Sequence, residues 1–366
     1  MKRIGIITLF GYHNYGNRLQ NYATQHILES MGFSVTTIKN IRTPIKRSFL
    51  EKLFVNKGNL KKIILSKFKN TINSSIINKR EIKFRNFSKK YIDETNYIIS
   101  LNNIPKNIED EFDCFITGSD QVWNPNFSAT DIEFLSFVPK KKRISFSASF
   151  GVSSLPKDKI NYYKEKLLDM SSISVRETSG YEIVKKLTGR EAEILVDPTM
   201  LLSKDEWSLI TTKKNISLKK DYIFIYFLGE ITIKNRVWIK MIAKEYNLDI
   251  IDVLDMSNQE IYTSDPSEFI SLIDNAKLVC TDSFHGSVFS IIMETDFIVF
   301  DRIEHNKATM GSRIDTLLEK FELNSRKWHE NIEKDEVFNL SFSNSNIILE
   351  LEKQKAIKFL EKSLND

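Results

Sequence analysis

Ala276-Lys277-Leu278-Val279-Cys280-Thr281-Asp282-Ser283-Phe284-His285-Gly286-Ser287, continuing into Val288-Phe289-Ser290-Ile291-Ile292-Met293, is the stretch on which the reading of the fold turns. Residues 276–280 form a short, largely apolar run that reads as a buried strand, and residues 288–293 read as the first turns of a helix. A strand, a polar loop and a helix bring free backbone N–H groups and the positive end of the helix dipole to one point, which attracts an anion. The small residues Ser283, Gly286 and Ser287 let the anion approach, and His285 can add a charge or a proton. A plain helix capped by Asp282 or Ser283, with a histidine alongside, would look the same locally.

The same alternation extends in both directions. Residues 4–9 read as a first strand, followed by the loop Phe10-Gly11-Tyr12-His13-Asn14-Tyr15-Gly16-Asn17-Arg18. Leu19, Tyr22, Ala23, His26 and Ile27 then recur at helical spacing until Gly32, and residues 33–38 supply another strand. The loop places Asn14, Gly16 and Asn17 at the C-terminal end of a strand, where open α/β sheets bind ligands. It lacks the G-x-G-x-x-G spacing of a dinucleotide site, and a loop that only needs left-handed Gly and Asn conformations would match it equally well. Further strands read at 114–116, 143–149, 173–177 and 194–199, with helices at 162–170 and 179–187. Beyond the strand at 114–116, Asp120 and Gln121 are placed to hydrogen-bond a polyol and Trp123 offers a flat face to a sugar; a capping Asp120 and a core Trp123 are the plain alternative.

Pro198 ends whatever precedes it, because it fixes the backbone and cannot donate to a ladder. After it the pattern restarts: strand 222–228, helix 234–246, strand 249–253, helix 267–275, the opening stretch, and strand 297–301. Strands and helices alternating on both sides of Pro198 predict an α/β protein of two Rossmann-like, doubly wound domains, residues 1–200 and 201–366, facing a cleft in a GT-B-like arrangement. An amphipathic pattern over 346–364 reads as one last helix able to cross back to the first domain.

Composition sets outer limits. A chain of 366 residues is too long for one compact core, and 41% hydrophobic with 11% aromatic content suffices for two. Cys114 and Cys280 lie in apolar strand-like runs, so they read as small buried hydrophobes, which suits a reducing cytoplasm. Residues 4–9 read as a strand and not a signal peptide, and no run approaches the roughly 18 apolar residues of a membrane-spanning helix. A net charge of +5 is modest, so no nucleic-acid partner is expected. Residues 41–97 are rich in Lys, Asn, Ile and Phe, and 60–77 has amphipathic helical spacing with Lys61, Lys62, Lys67 and Lys69. Such a helix can lie on an anionic membrane or guide an anionic substrate, and more often it is a solvated helix packed on one face. No His, Cys and carboxylate cluster has metal-ligand spacing, and no metal is expected.

Gly118-Ser119-Asp120-Gln121-Val122-Trp123, Ser174-Val175-Arg176-Glu177, Val196-Asp197-Pro198-Thr199, Ser283-Phe284-His285-Gly286 and Ser312-Arg313-Ile314, in this order, resemble the polysaccharide pyruvyl transferase family, the likeness running over residues 5–318. The resemblance implies that phosphoenolpyruvate donates a pyruvyl group that becomes a ketal across two hydroxyls of a sugar, in bacterial exopolysaccharide, capsule or cell-wall polysaccharide synthesis. Phosphoenolpyruvate is then the co-substrate and no cofactor is needed. Arg176 and Arg313 would each fork onto an oxyanion, with Ser283, His285, Gly286 and Ser312 at the phosphate. His285 would donate the proton or steady the departing phosphate, Asp120 would accept the hydroxyl proton, and Asn14, Asn17 and Gln121, with Gly16 and Trp123 beside them, would receive the sugar. A lipid-linked acceptor would give the basic 60–77 helix a reason to touch the inner membrane face of an otherwise cytoplasmic enzyme. Two other readings compete: a GT-B nucleotide-sugar glycosyltransferase, for which Glu294 is the nearest ribose-binding candidate, and a non-catalytic polysaccharide-binding protein, against which His285 and the arginines speak. His13, His26, His305 and His329 read as structural or solvent-facing.

Overall fold

In the computed structural model the apolar runs become the strands of two parallel sheets. The structure describes residues 1–41, 60–127, 129–213, 220–303 and 311–365, and the side chains of 60–73, Ser312 and Asp335 lie outside that description, as does His305. The first sheet contains β1 (Arg3–Ile7), β2 (Ser34–Asn40), β3 (Glu94–Ile99), β4 (Cys114–Thr117), β5 (Arg143–Ala148), β6 (Ser172–Val175) and β7 (Glu193–Ile194), in the order β3-β2-β1-β4-β5-β6-β7. All its pairings are parallel. Parallel neighbours require crossovers, and α1 (Tyr15–Ser30), α2 (Leu60–Tyr91), α3 (Ile160–Leu168) and α4 (Thr178–Thr188) supply the main ones.

The second sheet contains β8 (Tyr222–Tyr226), β9 (Asp249–Asp252), β10 (Leu278–Thr281) and β11 (Phe297–Val299), in the order β11-β10-β8-β9, again all parallel. Its helices are α5 (Ile233–Glu245), α6 (Pro266–Asp274) and α7 (Phe284–Met293), followed by α8 (Ser312–Lys320) and α9 (Ser343–Asn365). The expected α/β class with two Rossmann-like, doubly wound sheets is thus observed. In each sheet the winding reverses once, between β1 and β4 and between β8 and β10. A crevice opens where two neighbouring strands send their connections to opposite faces, so the loops after these four strands are where a ligand belongs.

Two parts of the first sheet depart from the sequence reading. The stretch 41–97 ends in β3, an edge strand whose Glu94 and Thr95 dilute its apolar signal, and α2 continues past residue 77 to Tyr91. The strand expected over 194–199 stops at Ile194, because Asp197 caps a short turn, Pro198–Leu201, by accepting from Thr199 N.

The sheets are held against each other by side chains from α1 and α2. Tyr15 stacks on Phe269 of α6 with centroids 4.2 Å apart, and its hydroxyl donates to Ser264 O at 3.0 Å. Arg80 of α2 lies 4.6 Å over Tyr15 and 4.8 Å over Tyr262, and donates to Tyr262 O at 2.8 Å. At the far side α9 returns to the first sheet, where Phe359 stacks on Phe146 of β5 and Lys355 donates to Ile194 O. Cys114 and Cys280 are buried in β4 and β10.

Candidate active site

The four reversal loops converge on one cavity of about 260 Å³. From the first sheet it is lined by Leu9, Asn14 and Asn17 after β1 and by Asp120 and Gln121 after β4; from the second by Leu228 after β8 and Ser283, Phe284 and His285 after β10. Phe127, Arg302, just beyond β11, and Arg313, in the first turn of α8, complete the wall.

Each loop is fixed by its own backbone requirements. Asn14 caps α1 by accepting from Asn17 N at 3.1 Å, and Ser283 caps α7 by accepting from Gly286 N at 3.4 Å. The positive ends of two helices therefore face the cavity from opposite sheets. Gly286 serves the packing of α7, since a Cβ there would overlap the Thr281 side chain. Gly16 serves the other wall: a Cβ on it would overlap the His285 ring, so α1 can lie against the histidine only because residue 16 is glycine.

Behind the cavity is a buried charge network. Asp197 accepts from Arg176 Nη1 at 2.5 Å, from Ser119 Oγ at 2.9 Å and from Thr199 Oγ1 at 2.8 Å. Arg176 also donates from Nη2 to Asp120 Oδ1 at 3.3 Å. Asp120 further accepts from Asn17 Nδ2 at 2.5 Å, and Arg313 Nη1 stands 3.8 Å away. The guanidiniums of Arg176 and Arg313 lie over the Phe284 ring at 4.3 and 5.8 Å. His285 Nε2 is 3.7 Å from Asp197 Oδ2, too long for a hydrogen bond, and the nitrogen makes no hydrogen bond to the protein although the residue is only 6% exposed.

Burial alone would raise both carboxyls, but the surrounding cations outweigh it. Arg176, His285 and Arg313 hold Asp120 below the usual carboxylate range, and His285, Arg176 and the Thr199 hydroxyl do the same to Asp197. Arg313 moves the other way: burial, and then repulsion from Arg176, push it down to about 10. The cavity wall can therefore offer the ionised Asp120 carboxylate, the His285 imidazole and the guanidiniums of Arg302 and Arg313 to an anionic ligand, with Asp197 and Arg176 behind them. Among the described residues, no group of three or more His, Cys, Asp or Glu side chains is placed to hold a metal ion.

The model of one family, polysaccharide pyruvyl transferase, matches residues 14–304, from the Asn14 cap to just beyond Arg302. The chain belongs to this family. No curated protein matches the sequence. Among solved structures, the chain is similar to a UDP-GlcNAc 2-epimerase from Methanocaldococcus jannaschii in complex with UDP-GlcNAc and UDP, at 12% identity and a TM-score of 0.48, covering 99% of this chain and 100% of that one. It is also similar to a UDP-GlcNAc 2-epimerase from Neisseria meningitidis bound to UDP-GlcNAc (10% identity, TM-score 0.45, 100% and 99% covered) and to Acinetobacter baumannii MurG (11%, 0.38, 99% and 95%).

Of the site residues expected from the sequence, the structure brings Asn14, Asn17, Asp120, Gln121, Ser283, His285 and Arg313 to one cavity. Gly16 and Gly286 stand behind it as packing positions, and the Ser312 side chain lies outside the described residues. Two expectations are corrected. Trp123 is fully buried, stacked on Phe134 at 5.4 Å and donating its indole N–H to Glu133 O at 3.1 Å, so it is a core residue and cannot receive a sugar. Arg176 does not line the cavity, because both its η nitrogens are engaged by Asp197 and Asp120.

Glu294 lies at the opposite end of α7, where Asn346 donates to it at 2.6 Å, so it takes no part in this site. His13 and His329 are exposed and His26 stacks on Tyr22. The sequence reading missed Arg302 and the support given to it by Asp282. An arginine three residues past a strand's C-terminal end was the available signal for Arg302.

Proposed function

We propose that the protein transfers a pyruvyl group from phosphoenolpyruvate to two hydroxyls of one sugar, giving a ketal and inorganic phosphate, during synthesis of a bacterial surface polysaccharide. The observation that supports this best is the opposition, across one cavity, of an anion-binding wall carrying His285 and Arg313 and a polar wall carrying Asn14, Asn17, Asp120 and Gln121. Residues 1–200 would serve the acceptor and 201–366 the donor phosphate.

The reaction needs a proton on the donor methylene, formation of two C–O bonds at C2, and cleavage of the bond from C2 to the phosphate oxygen. His285 supplies the first proton, with ionised Asp197 beside its ring. Protonation leaves C2 electron-poor, so a hydroxyl that bonds to it becomes strongly acidic. Asp120, although held below the usual carboxylate range, then suffices to take that proton. Phosphate leaves with the bonding pair at the N-terminal end of α7, beside Arg313, and the second hydroxyl closes the ketal. Of the two hydroxyl protons released, one balances the proton given to the methylene and the other leaves with phosphate.

Incubation with phosphoenolpyruvate and candidate acceptor glycans, with phosphate release and acid-labile pyruvate measured together, tests the reading. Equal amounts of both are expected, dependent on His285. Thermal stabilisation by nucleotide sugars and none by phosphoenolpyruvate would overturn it in favour of glycosyl transfer. No helix among the described residues is long and apolar enough to cross a membrane. Contact of α2 with an anionic bilayer, and a lipid-linked acceptor, belong to the proposal; Gln at Lys61, Lys62, Lys67 and Lys69 would abolish vesicle binding if they hold.

A further inference from the structure

Phosphoenolpyruvate carries a phosphate and a carboxylate, and Arg176, the first choice for one of them, is turned away. Its two η nitrogens bridge Asp197 and Asp120, and no part of it lines the cavity. Among the described residues, the basic side chains that line it are His285, Arg302 and Arg313.

Arg302 is built into its place. Its Nη2 donates to Asp282 O at 3.1 Å and its Nε stands 3.6 Å from Asp282 Oδ2. Asp282 is itself anchored, accepting from Leu228 N at 2.7 Å and Gly229 N at 2.8 Å. Gly229 leaves room for the arginine stem: a Cβ there would come within 2.9 Å of Arg302 Cγ. The loop after β8, the residue before the α7 cap and the end of β11 thus cooperate to hold one guanidinium on the cavity wall. Its planar guanidinium on the cavity wall suits a planar carboxylate, which it can grip with two parallel hydrogen bonds. Arg313 shares Asp120 with Arg176 and is crowded by that second cation. An incoming dianion relieves that crowding, which suits phosphate.

Resting on the pyruvyl-transfer reading, we propose that Arg302 binds the donor carboxylate, leaving the phosphate to Arg313, His285 and the N-terminus of α7. Arg176 is a positioning residue that fixes Asp120 and Asp197.

The test compares affinities of the full chain for phosphoenolpyruvate, for vinyl phosphate, which lacks the carboxylate, and for inorganic phosphate. In Arg302→Gln, phosphoenolpyruvate should bind about 10- to 100-fold more weakly while vinyl phosphate and phosphate stay within about threefold. Arg302→Lys, which keeps the charge and loses the fork, should fall between. Equal weakening of phosphoenolpyruvate and vinyl phosphate would make Arg302 a phosphate ligand, and no weakening would remove it from the donor site; either overturns the assignment with pyruvyl transfer intact. Failure of the unaltered protein to bind any of the three would overturn pyruvyl transfer itself, and this proposal with it.

Discussion

Arg176→Met should cost about 4 kcal/mol of stability at neutral pH. The guanidinium is buried between two carboxylates, 2.5 Å from Asp197 and 3.3 Å from Asp120, and lies 4.3 Å over Phe284. Methionine keeps most of the stem packing but takes from both carboxylates their nearest cation, and breaking a buried pair from one side costs about 3–5 kcal/mol. With a urea slope of about 2 kcal/mol/M, the midpoint should fall by about 2 M. The pH dependence gives an independent check. In the unaltered protein both carboxyls are held below the unfolded value near about 3.9, so the network's contribution is present above that pH and is lost only as pH falls through the lower folded values. In the variant, burial without Arg176 raises them, and protonation then relieves the unpaired charge. The gap between the two proteins should therefore narrow from pH 7 to about pH 4, and Asp120→Asn in the variant should recover part of the loss at pH 7. A loss below about 1 kcal/mol, or a gap that does not change with pH, would refute the bridging role.

Gly16→Ala places a methyl where the His285 ring lies, and should lower kcat/KM about a hundredfold by displacing the histidine, with the unfolding midpoint changed far less than in Arg176→Met. His285→Gln should retain the fold and lower kcat about a hundredfold or more, seen as parallel loss of phosphate and pyruvate signals. Trp123→Phe should lower stability by about 1–2 kcal/mol through loss of the bond to Glu133 O, yet leave the acceptor KM within about twofold, which separates a core residue from a sugar platform. Burial pushes the Cys114 thiol up to about 11 and Cys280 higher still, so neither should react with a thiol reagent at about pH 8 until denaturant is added.

Much of the architecture is legible in the chain because buried parallel strands need unbroken apolar runs, and residues 278–281 and 222–226 are such runs, the first followed by a polar loop and the second ending at Gly229. Strand β3 was not, since an edge strand can carry Glu94 and Thr95 without cost. At the site, loop position after a strand was enough to find Asn17, Asp120 and His285. It could not tell which way a long side chain turns. Arg176 and Arg302 both follow strands, and their partners, two carboxylates behind the cavity for one and Asp282 at its rim for the other, go with which of them faces the cavity. Trp123 failed for a related reason: an aromatic near a polar loop is read equally well as a platform or a plug, and Phe134 and Glu133, which settle it, lie about ten residues further on.

The residues assigned to the two substrates come from different sheets, and the contacts that join the sheets explain how they can act together. Gly16 of α1 supports His285 of α7, Asp197 of the first sheet faces the same ring, and Asp120 lies within 3.8 Å of Arg313. None of these distances survives if the sheets part by even one or two ångströms. The aromatic stack of Tyr15 on Phe269 and the Arg80 bridge to Tyr262 therefore belong to the chemistry as much as to the fold. Both lie on α1 or α2, and α1, which carries Asn17 and is capped by Asn14, also sets the position of His285, so in the proposed reaction one helix would serve both substrates. A perturbation of the interface far from the cavity should thus change kcat before it changes the affinity for either substrate alone.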